Sequence, residues 1–476
     1  MNDSLEGITV RKEEDTPEWY TQVCLKSGLV EYGPVKGTMI IKPYGYDLWQ
    51  KIQDYFNKVL KERGVSNSYF PIFIPESFFK KEAEHAKGFE AEVAWIEKSE
   101  NEGRIALRPT SETIMYDAFS RWIRSWRDLP FRINQWCNVI RWEVSQTRLF
   151  LRSREFLWQE GHCVYETEEE CDKEVRVFLG EYEKLCRELL ALPVIKGMKT
   201  DREKFAGAKY TMTIESFTSE GKGLQCGTSH NLGQGFAKSF GISFLDKSGK
   251  KAIPWQASWG ISTRLLGALI MAHSDDKGLV LPPSIAPIEI AIVPIFSSEK
   301  EKVLKKAREI YKTLKKSHEV ILDESEEYSP GWKYSEYELK GIPLRIEIGP
   351  KDIAKEQVIV VRRDTGKKEP IKISKISETV KESLKAMQEE IFKKAEKSLA
   401  SQISKVENWS QFLKEAKERK LVLAKFCGNP KCEEEIKEKT KGAGSRVIPL
   451  EQENAEGSCV HCGKPAKYWV YFGKSY

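Results

Sequence analysis

The sequence predicts a mixed α/β protein of three domains, and three observations carry that expectation. The chain has 476 residues, more than one hydrophobic core usually supports. Between Arg141 and Glu160, charged and aromatic side chains alternate as in two antiparallel strands joined by a basic loop. After the proline-rich stretch Leu281 to Pro287 the pattern changes to strand–helix alternation, and a cysteine-bearing segment follows. The expected boundaries are 1–282, 283–400 and 401–476.

Composition narrows the function. The formal charge is only +6 although 31% of residues are charged, which suits local basic patches and selective contact with a polyanion such as RNA. No run of 18 apolar residues occurs, so no membrane span is predicted. Met1 to Pro17 is polar and acidic, unlike a signal or transit peptide. Of the ten cysteines, Cys24, Cys137, Cys163, Cys171, Cys186 and Cys226 are scattered, which suggests buried, reduced thiols and a reducing cytoplasm.

The elements follow in order. Thr16 to Gly33 reads as a helix and a turn, and Met39 to Tyr44 as a short strand. Tyr46 to Arg63 has helical spacing, with Leu48, Ile52, Tyr55, Phe56, Val59 and Leu60 on one stripe and Gly64 as the stop. Ser68 to Pro75 is extended; Pro71 places it at an edge, either in an ordinary helix–strand unit or at a dimer seam. Phe78 to Lys98 reads as helix and loop, with a strand at Val93 to Ile96. A strand then ends at Pro109, and Thr110 can cap the next helix. Thr110, Ser111 and Glu112 can form a capping box, and Thr110 and Glu112 can face a cavity shared with Trp158 and Glu160; the two readings need not exclude each other.

The stretch Arg141 to Glu160 organises the rest. Arg141 and Glu143 are expected on one face of the first strand, and Arg152, Arg154, Phe156, Trp158 and Glu160 on one face of the second. Either the hairpin lies on the surface, laced with salt bridges, or this face lines a ligand site, because unpaired buried charge is very costly. Arginine forks match phosphate, and a carboxylate beside an indole holds a small ammonium ion. Glu166 to Leu192 is an amphipathic helix. Lys204 to Glu215 contains a small-residue run at Ala206 to Ala208. Leu224 to Phe236, with Gln225, Thr228 and His230, reads as a polar strand lining a site. Ala257 to Arg264 is expected to open a helix, with a tight turn at Gly260, a cap at Ser262 or Thr263, and Arg264 in a first turn that attracts anions.

Beyond Pro287, Ile288 to Phe296, Val320 to Leu322, Leu344 to Ile348 and Gln357 to Arg363 read as strands. Ser298 to Ser317, Gly331 to Lys340 and Ser377 to Leu399 read as helices. An exposed edge carrying Arg345, Lys351, Arg362, Arg363 and Lys367 is expected, either as an RNA surface or as an ordinary solvated basic face. Finally, Cys427 and Cys432 precede Cys459 and Cys462 at the spacing of a tetrahedral zinc site. No position is left open for substrate, so the metal is structural, with His461 as a competing ligand.

With these residues in place, the sequence resembles prolyl-tRNA synthetases of the archaeal and eukaryotic class II type. Gly64 to Phe73 is similar to motif 1, Arg141 to Phe156 to motif 2, and Gly260 to Arg264 to motif 3. Arg108-Pro109-Thr110-Ser111-Glu112 resembles the proline-binding loop, and Gly227 to His230 its facing wall. The domain after Pro287 resembles an anticodon-binding domain. The zinc segment with Tyr476 is similar to the C-terminal extension of this type.

The resemblance implies an antiparallel-sheet catalytic domain, a homodimer through motif 1, and tRNA(Pro), L-proline and ATP as partners. It implies Mg2+ with ATP and a structural Zn2+. It assigns Arg141 and Arg264 to catalysis, and Thr110, Glu112, Arg141, Trp158, Glu160, Phe205, His230 and Ser258 to proline. ATP falls to Arg141, Glu143, Arg152, Gln225, Thr228, Ser262 and Arg264; the anticodon to Glu338, Arg345, Lys351 and Lys367. The short span between motifs 2 and 3 leaves no room for an editing insertion, so no hydrolysis of alanyl-tRNA is expected.

Overall fold

The structure is a computed structural model that describes residues 7–83, 93–99, 103–218, 220–296 and 299–476. Most of the loop expected between Phe78 and Lys98, and the predicted helix start at Ser298, lie outside them.

An opening helix, Thr16–Lys26, leads to helix α1 (Pro43–Glu62), which starts three residues before the predicted Tyr46 because Pro43 suits a first turn. Leu48, Trp49, Ile52, Phe56 and Leu60 are its buried stripe. Gly64 ends it at φ +67°, a conformation that favours glycine. A short strand follows, β1 (Ser66–Asn67), and later helix α2 (Glu112–Trp122).

The main sheet is built from β2 (Phe131–Ile140), β3 (Glu155–Tyr165), β4 (Ile195–Met198), β5 (Tyr210–Phe217), β6 (Lys222–Gly233) and β7 (Trp255–Ser262). Helix α3 (Glu168–Glu188) packs on its back, starting at a Thr167–Glu170 capping box. The aromatic core there is dense: Trp259 stacks on Phe178 with ring centroids 3.7 Å apart, and Phe56 stacks on Tyr182.

An antiparallel hairpin forms, but it runs from Phe131↔Val164 to Ile140↔Glu155, so its first strand lies wholly before the expected Arg141–Glu143. The expected charged tips are not strand. The first strand stops at Ile140 and the second starts at Glu155, so Arg141, Glu143, Arg152 and Arg154 belong to the connecting loop and share no strand face. The loop closes where the Arg141 amide donates to the Arg154 carbonyl at 2.6 Å. Phe156, Trp158 and Glu160 do share a face.

The stretch before Arg264 is a second departure. It is not a turn opening a helix but β7, paired with both β3 and β6, with Gly260 opposite Glu160 and Thr228. A Cβ on Gly260 would stand 2.9 Å from the Gln159 carbonyl, so close strand approach, not turning, explains this glycine. The helix that follows, α4 (Arg264–His273), begins at Arg264 itself.

The presumed linker is not a loose connection: Leu281, Ile285 and Ala286 are fully buried in the first core. Beyond it lie β8 (Ile290–Pro294), α5 (Lys300–Leu314), β9 (Val320–Leu322), α6 (Pro330–Leu339), β10 (Leu344–Ile348), β11 (Gln357–Arg362), β12 (Lys368–Lys372) and α7 (Ile376–Ser401). The sheet order is β9-β8-β10-β11-β12, parallel through β10 and antiparallel after it. Strand β12 was not foreseen. The expected exposed basic edge is corrected as well. Arg345 sits on the interior strand β10, buried against Glu338 and Glu347, and buried Arg363 pairs with Asp275 of the first domain. Arg362 is half-buried against Asp364 and Glu390, while Lys351 and Lys367 are exposed.

The last segment contributes β13 (Ile403–Lys405), β14 (Leu421–Phe426), α8 (Pro430–Lys439), β15 (Gly444–Pro449) and β16 (Tyr468–Ser475). Its strands extend the main sheet, giving the order β13-β14-β16-β15-β4-β5-β6-β7-β3-β2-β1. The join is β15 on β4, with Ile448 opposite Met198, and β16 runs beside β6 at Lys222 and Gly223. Among the described residues, no helix is long and apolar enough to cross a membrane.

Candidate active site

The first turn of α2 brings Thr110, Ser111 and Glu112 against β2 and β3. No capping box forms: Ser111 occupies the N-cap position without a side-chain cap bond. Its hydroxyl instead donates to Glu160, and its amide reaches the same carboxylate at 3.3 Å. Gln135 Nε2 donates to Glu160 Oε1 at 3.1 Å, and His162 Nε2 lies 3.1 Å from Oε2. Burial works against this carboxylate, but the hydrogen bond and charge of His162, with Ser111 and Gln135, hold it below the usual carboxylate range. Thr110 donates its hydroxyl to Glu112. Trp158 closes one side, its indole N–H donating to Cys137 Sγ at 3.2 Å.

Opposite stand Phe205 and His230, ring centroids 4.8 Å apart. Burial and the neighbouring His162 push His230 down to about 3, so it is a neutral wall that bonds Thr211 at 2.9 Å. Arg141 enters from the loop, its guanidinium 6.0 Å from the Trp158 ring centroid. The Arg141 Nε and the Ser258 hydroxyl are buried without hydrogen-bond partners among the described residues. Buried donors left unmade are expensive, and a ligand carboxylate or phosphate would satisfy them.

The arginine of α4 supplies the other end. Arg264 Nε donates to the Leu151 carbonyl at 3.1 Å and Nη1 to the Gln225 carbonyl at 3.4 Å, while Ser262 Oγ accepts the Arg264 amide at 3.3 Å. Every residue assigned above to the amino-acid or nucleotide site lines one cavity of about 590 Å³. A larger cleft, about 1210 Å³, opens between the N-terminal arm, α4 and α7, and contains none of them.

Sequence reasoning missed part of this cavity. His162 lines it and touches Glu160; its signal was available, since it lies two residues further along the same strand face. Tyr116 OH backs His162 Nδ1 at 3.0 Å. At the cavity's edge the already assigned Arg152 reaches the carbonyl of cavity-lining Tyr476 at 3.4 Å, and outside the lining Glu220 accepts the Tyr476 hydroxyl and is gripped by Arg148 at 2.9 Å. These residues are distant in sequence, so no local pattern links them.

The four C-terminal cysteines converge. Cys432 and Cys459 sulfurs are 3.8 Å apart, Cys427 and Cys462 3.6 Å, and all four lie within 4.8 Å of one another. Tetrahedral Zn–S bonds of about 2.3 Å require sulfurs roughly 3.8 Å apart, so the set fits zinc. His461 is not a competing ligand. Its Nε2 accepts from the Lys439 ammonium at 2.8 Å, which leaves Nδ1–H to donate to Cys432 Sγ at 3.3 Å.

An antiparallel sheet carrying a cavity with two buried carboxylates and two separately supplied arginines, joined to a small α/β domain, defines a class II aminoacyl-tRNA synthetase. Residues 91–273 match the family of the tRNA synthetase class II core domain (G, H, P, S and T), and residues 289–383 the anticodon binding domain. Residues 409–476 match the prolyl-tRNA synthetase C-terminal domain. The chain is 48% identical to proline–tRNA ligase 2 of Clostridioides difficile, covering 99% of this chain and 98% of that one. It is 49% identical to proline–tRNA ligase of Oceanobacillus iheyensis, with the same coverage. The crystal structure of prolyl-tRNA synthetase from Cryptosporidium parvum, complexed with halofuginone and AMPPNP, superposes with a TM-score of 0.94 at 42% identity over 99% of both chains. The chain belongs to the proline–tRNA ligase family.

Proposed function

We infer that this chain activates L-proline with ATP and transfers the prolyl group to the 3′ end of tRNA(Pro). The observation that carries the reading is a single cavity uniting two buried carboxylates with Arg141 and Arg264. The attacking group, proline's carboxylate, is already an anion, so rate enhancement comes from placement and charge stabilisation, not from a base. Arg141 bridges that carboxylate and the α-phosphate. Glu112 with Thr110 takes the secondary amine, and Trp158, Glu160, Phe205, His230 and Ser258 wall the ring. Glu143 reads adenine, Arg152 and Arg264 grip phosphates, and Gln225, Thr228 and Ser262 complete the nucleotide side. The adenylate then passes its prolyl group to the terminal adenosine of tRNA.

Mg2+ arriving with ATP would neutralise phosphate charge; among the described residues, no carboxylate cluster on the nucleotide side is arranged to hold it alone. Zn2+ on Cys427, Cys432, Cys459 and Cys462 would be structural. Glu338, with exposed Lys351 and Lys367, would take the anticodon, and Arg345, buried and 3.3 Å from Glu338, would act there by holding that carboxylate. Exposed Tyr69 and Phe73 support a homodimer through motif 1. Cysteines free of disulfides support a cytoplasmic setting. The chain between β3 and β7 is used by α3 and β4–β6, which supports a ligase with no editing insertion.

The test is pyrophosphate exchange with each of proline, threonine, serine, glycine and histidine. Exchange dependent on proline alone is expected; exchange with another amino acid, or none, would overturn the reading.

A further inference from the structure

The two carboxylates of the amino-acid pocket are not equivalent. Glu160 is enclosed: Ser111 through hydroxyl and amide, Gln135 and His162 all reach its oxygens. Glu112 is bonded by Thr110 at the pocket wall. Ligating atoms of Glu112, Glu160 and His162 all lie within 4.8 Å of one another, and all three residues are buried. With a neutral imidazole, the empty pocket would therefore hold two buried negative charges bonded, among the described residues, only by the uncharged Thr110, Ser111 and Gln135 and the ring itself, with Arg141 entering the same cavity from the loop, an arrangement that buried groups avoid.

We propose that His162 is a positioning residue that carries a proton in the empty pocket and releases it to solvent when the ammonium of proline enters. Ring and substrate amine thus serve in turn as counter-ion to Glu160 and Glu112. The proposal rests on reading the cavity as the proline site. Its hydrogen bonding accommodates both states of the ring. The Nε2–H faces Glu160 whether or not the ring is charged. At 3.0 Å, the Tyr116 phenol can accept from a protonated Nδ1 and donate to a neutral one. The proton can therefore leave without breaking a hydrogen bond of the ring.

The groups facing His162 are few. Glu160 lies on its own strand, Glu112 and Tyr116 come from α2, and β6 brings His230, which burial and His162 itself keep neutral. The residue opposite on β7 is Ser258 and on β2 is Ile133, neither of which titrates. Cys137, beside Glu160, is pushed up to about 12 by burial and that carboxylate, so it does not ionise near neutrality. Burial disfavours charge on His162, but the Glu160 hydrogen bond and the fields of Glu112 and Glu160 outweigh it and raise the ring above its ordinary value. An incoming ammonium opposes those fields, so proton and proline are antagonists. Linkage then requires proline to bind more tightly as the pH rises through the titration of the empty pocket.

The experiment is calorimetric titration of the full-length protein with L-proline at pH 6.5, in phosphate and in imidazole buffer, whose ionisation enthalpies differ. Wild type is expected to release a substantial fraction of a proton, up to roughly one, per proline bound. Its KM for proline in pyrophosphate exchange is expected to fall between pH 6 and 8. In His162→Gln, which keeps a donor toward Glu160, both the buffer dependence and the KM trend are expected to vanish. Proline binding with a buffer-independent heat in wild type, or an unchanged buffer dependence in His162→Gln, overturns the proposal and leaves the proline site standing. Absence of proline binding together with absence of exchange overturns the reading of the cavity itself. The wild-type comparison needs no variant, so a misfolded His162→Gln does not block the decision.

Discussion

Glu215→Met should destabilise the protein more than removal of either cation that Glu215 binds. Glu215 on β5 accepts from Lys199 and, through one oxygen, from Arg446 Nε at 2.8 Å and Nη2 at 2.6 Å. Lys199 also donates to the Arg446 carbonyl at 2.9 Å. All three side chains are buried where β15 joins β4 and β5. The cluster holds one anion and two cations. Removing the anion strands two positive charges, a change that costs about 3–5 kcal/mol. Arg446→Met leaves a neutral Lys199–Glu215 pair and loses charge-assisted hydrogen bonds, about 1.5–3 kcal/mol. Unfolding entropy of roughly 2.1 cal/mol/K per residue, over the roughly 360 residues that share the sheet, converts 4 kcal/mol into about 5 °C. Thermal melts followed by tryptophan fluorescence and circular dichroism would read both variants. The pH dependence has a definite sign. Burial would raise the Glu215 carboxyl, but Lys199 and Arg446 bring it below the usual range. Its contribution is therefore full above the unfolded carboxylate value of roughly 4.3 and fades as the pH falls through the lower folded value. A Glu215→Met melting point within 1 °C of wild type, or a larger loss for Arg446→Met, would refute the reasoning.

Four other outcomes are expected. Arg141→Ala should lower proline-dependent pyrophosphate exchange by at least about 10³-fold with an unchanged circular dichroism spectrum; near-normal exchange would contradict its role. Glu112→Gln should raise the KM for proline about 10- to 100-fold and leave that for ATP within a few-fold; parallel changes in both constants would argue against an amine contact. Metal analysis should find one zinc per chain in wild type and far less in Cys432→Ser, with a lower melting point; equal zinc in both would remove Cys432 from the ligand set. Phe73→Asp should shift the sedimentation mass from dimer toward monomer, and an unchanged mass would place the seam elsewhere.

The cavity was legible where its logic is local. Trp158 and Glu160 were found because strand alternation puts them on one face, and Thr110 with Glu112 because polar residues follow Pro109 at a helix start. The cysteine spacing likewise survives folding, since the geometry of a tetrahedral ion needs little beyond two close pairs. The strand Trp255–Ser262 was misread because its glycine and serines mimic a helix entrance, while its packing between β3 and β6 is a tertiary fact. Arg345 looked exposed because a lone arginine in a strand usually is; two glutamates on separate elements allow its burial. His461 stayed ambiguous until Lys439 fixed which ring nitrogen carries the hydrogen.

The pairing of Ile448 with Met198 bears on how the protein tolerates shortening. A polypeptide cut before Ile403 would leave β4 as a bare rim, with unpaired amides and carbonyls ready to recruit another chain. Lys199 and Glu215 would lose Arg446 at the same stroke and meet water. Excision of the cysteine-bearing module would therefore produce not a smaller working protein but a sticky one with an open sheet edge, so the module is scaffolding for the main sheet as much as an appendage to it.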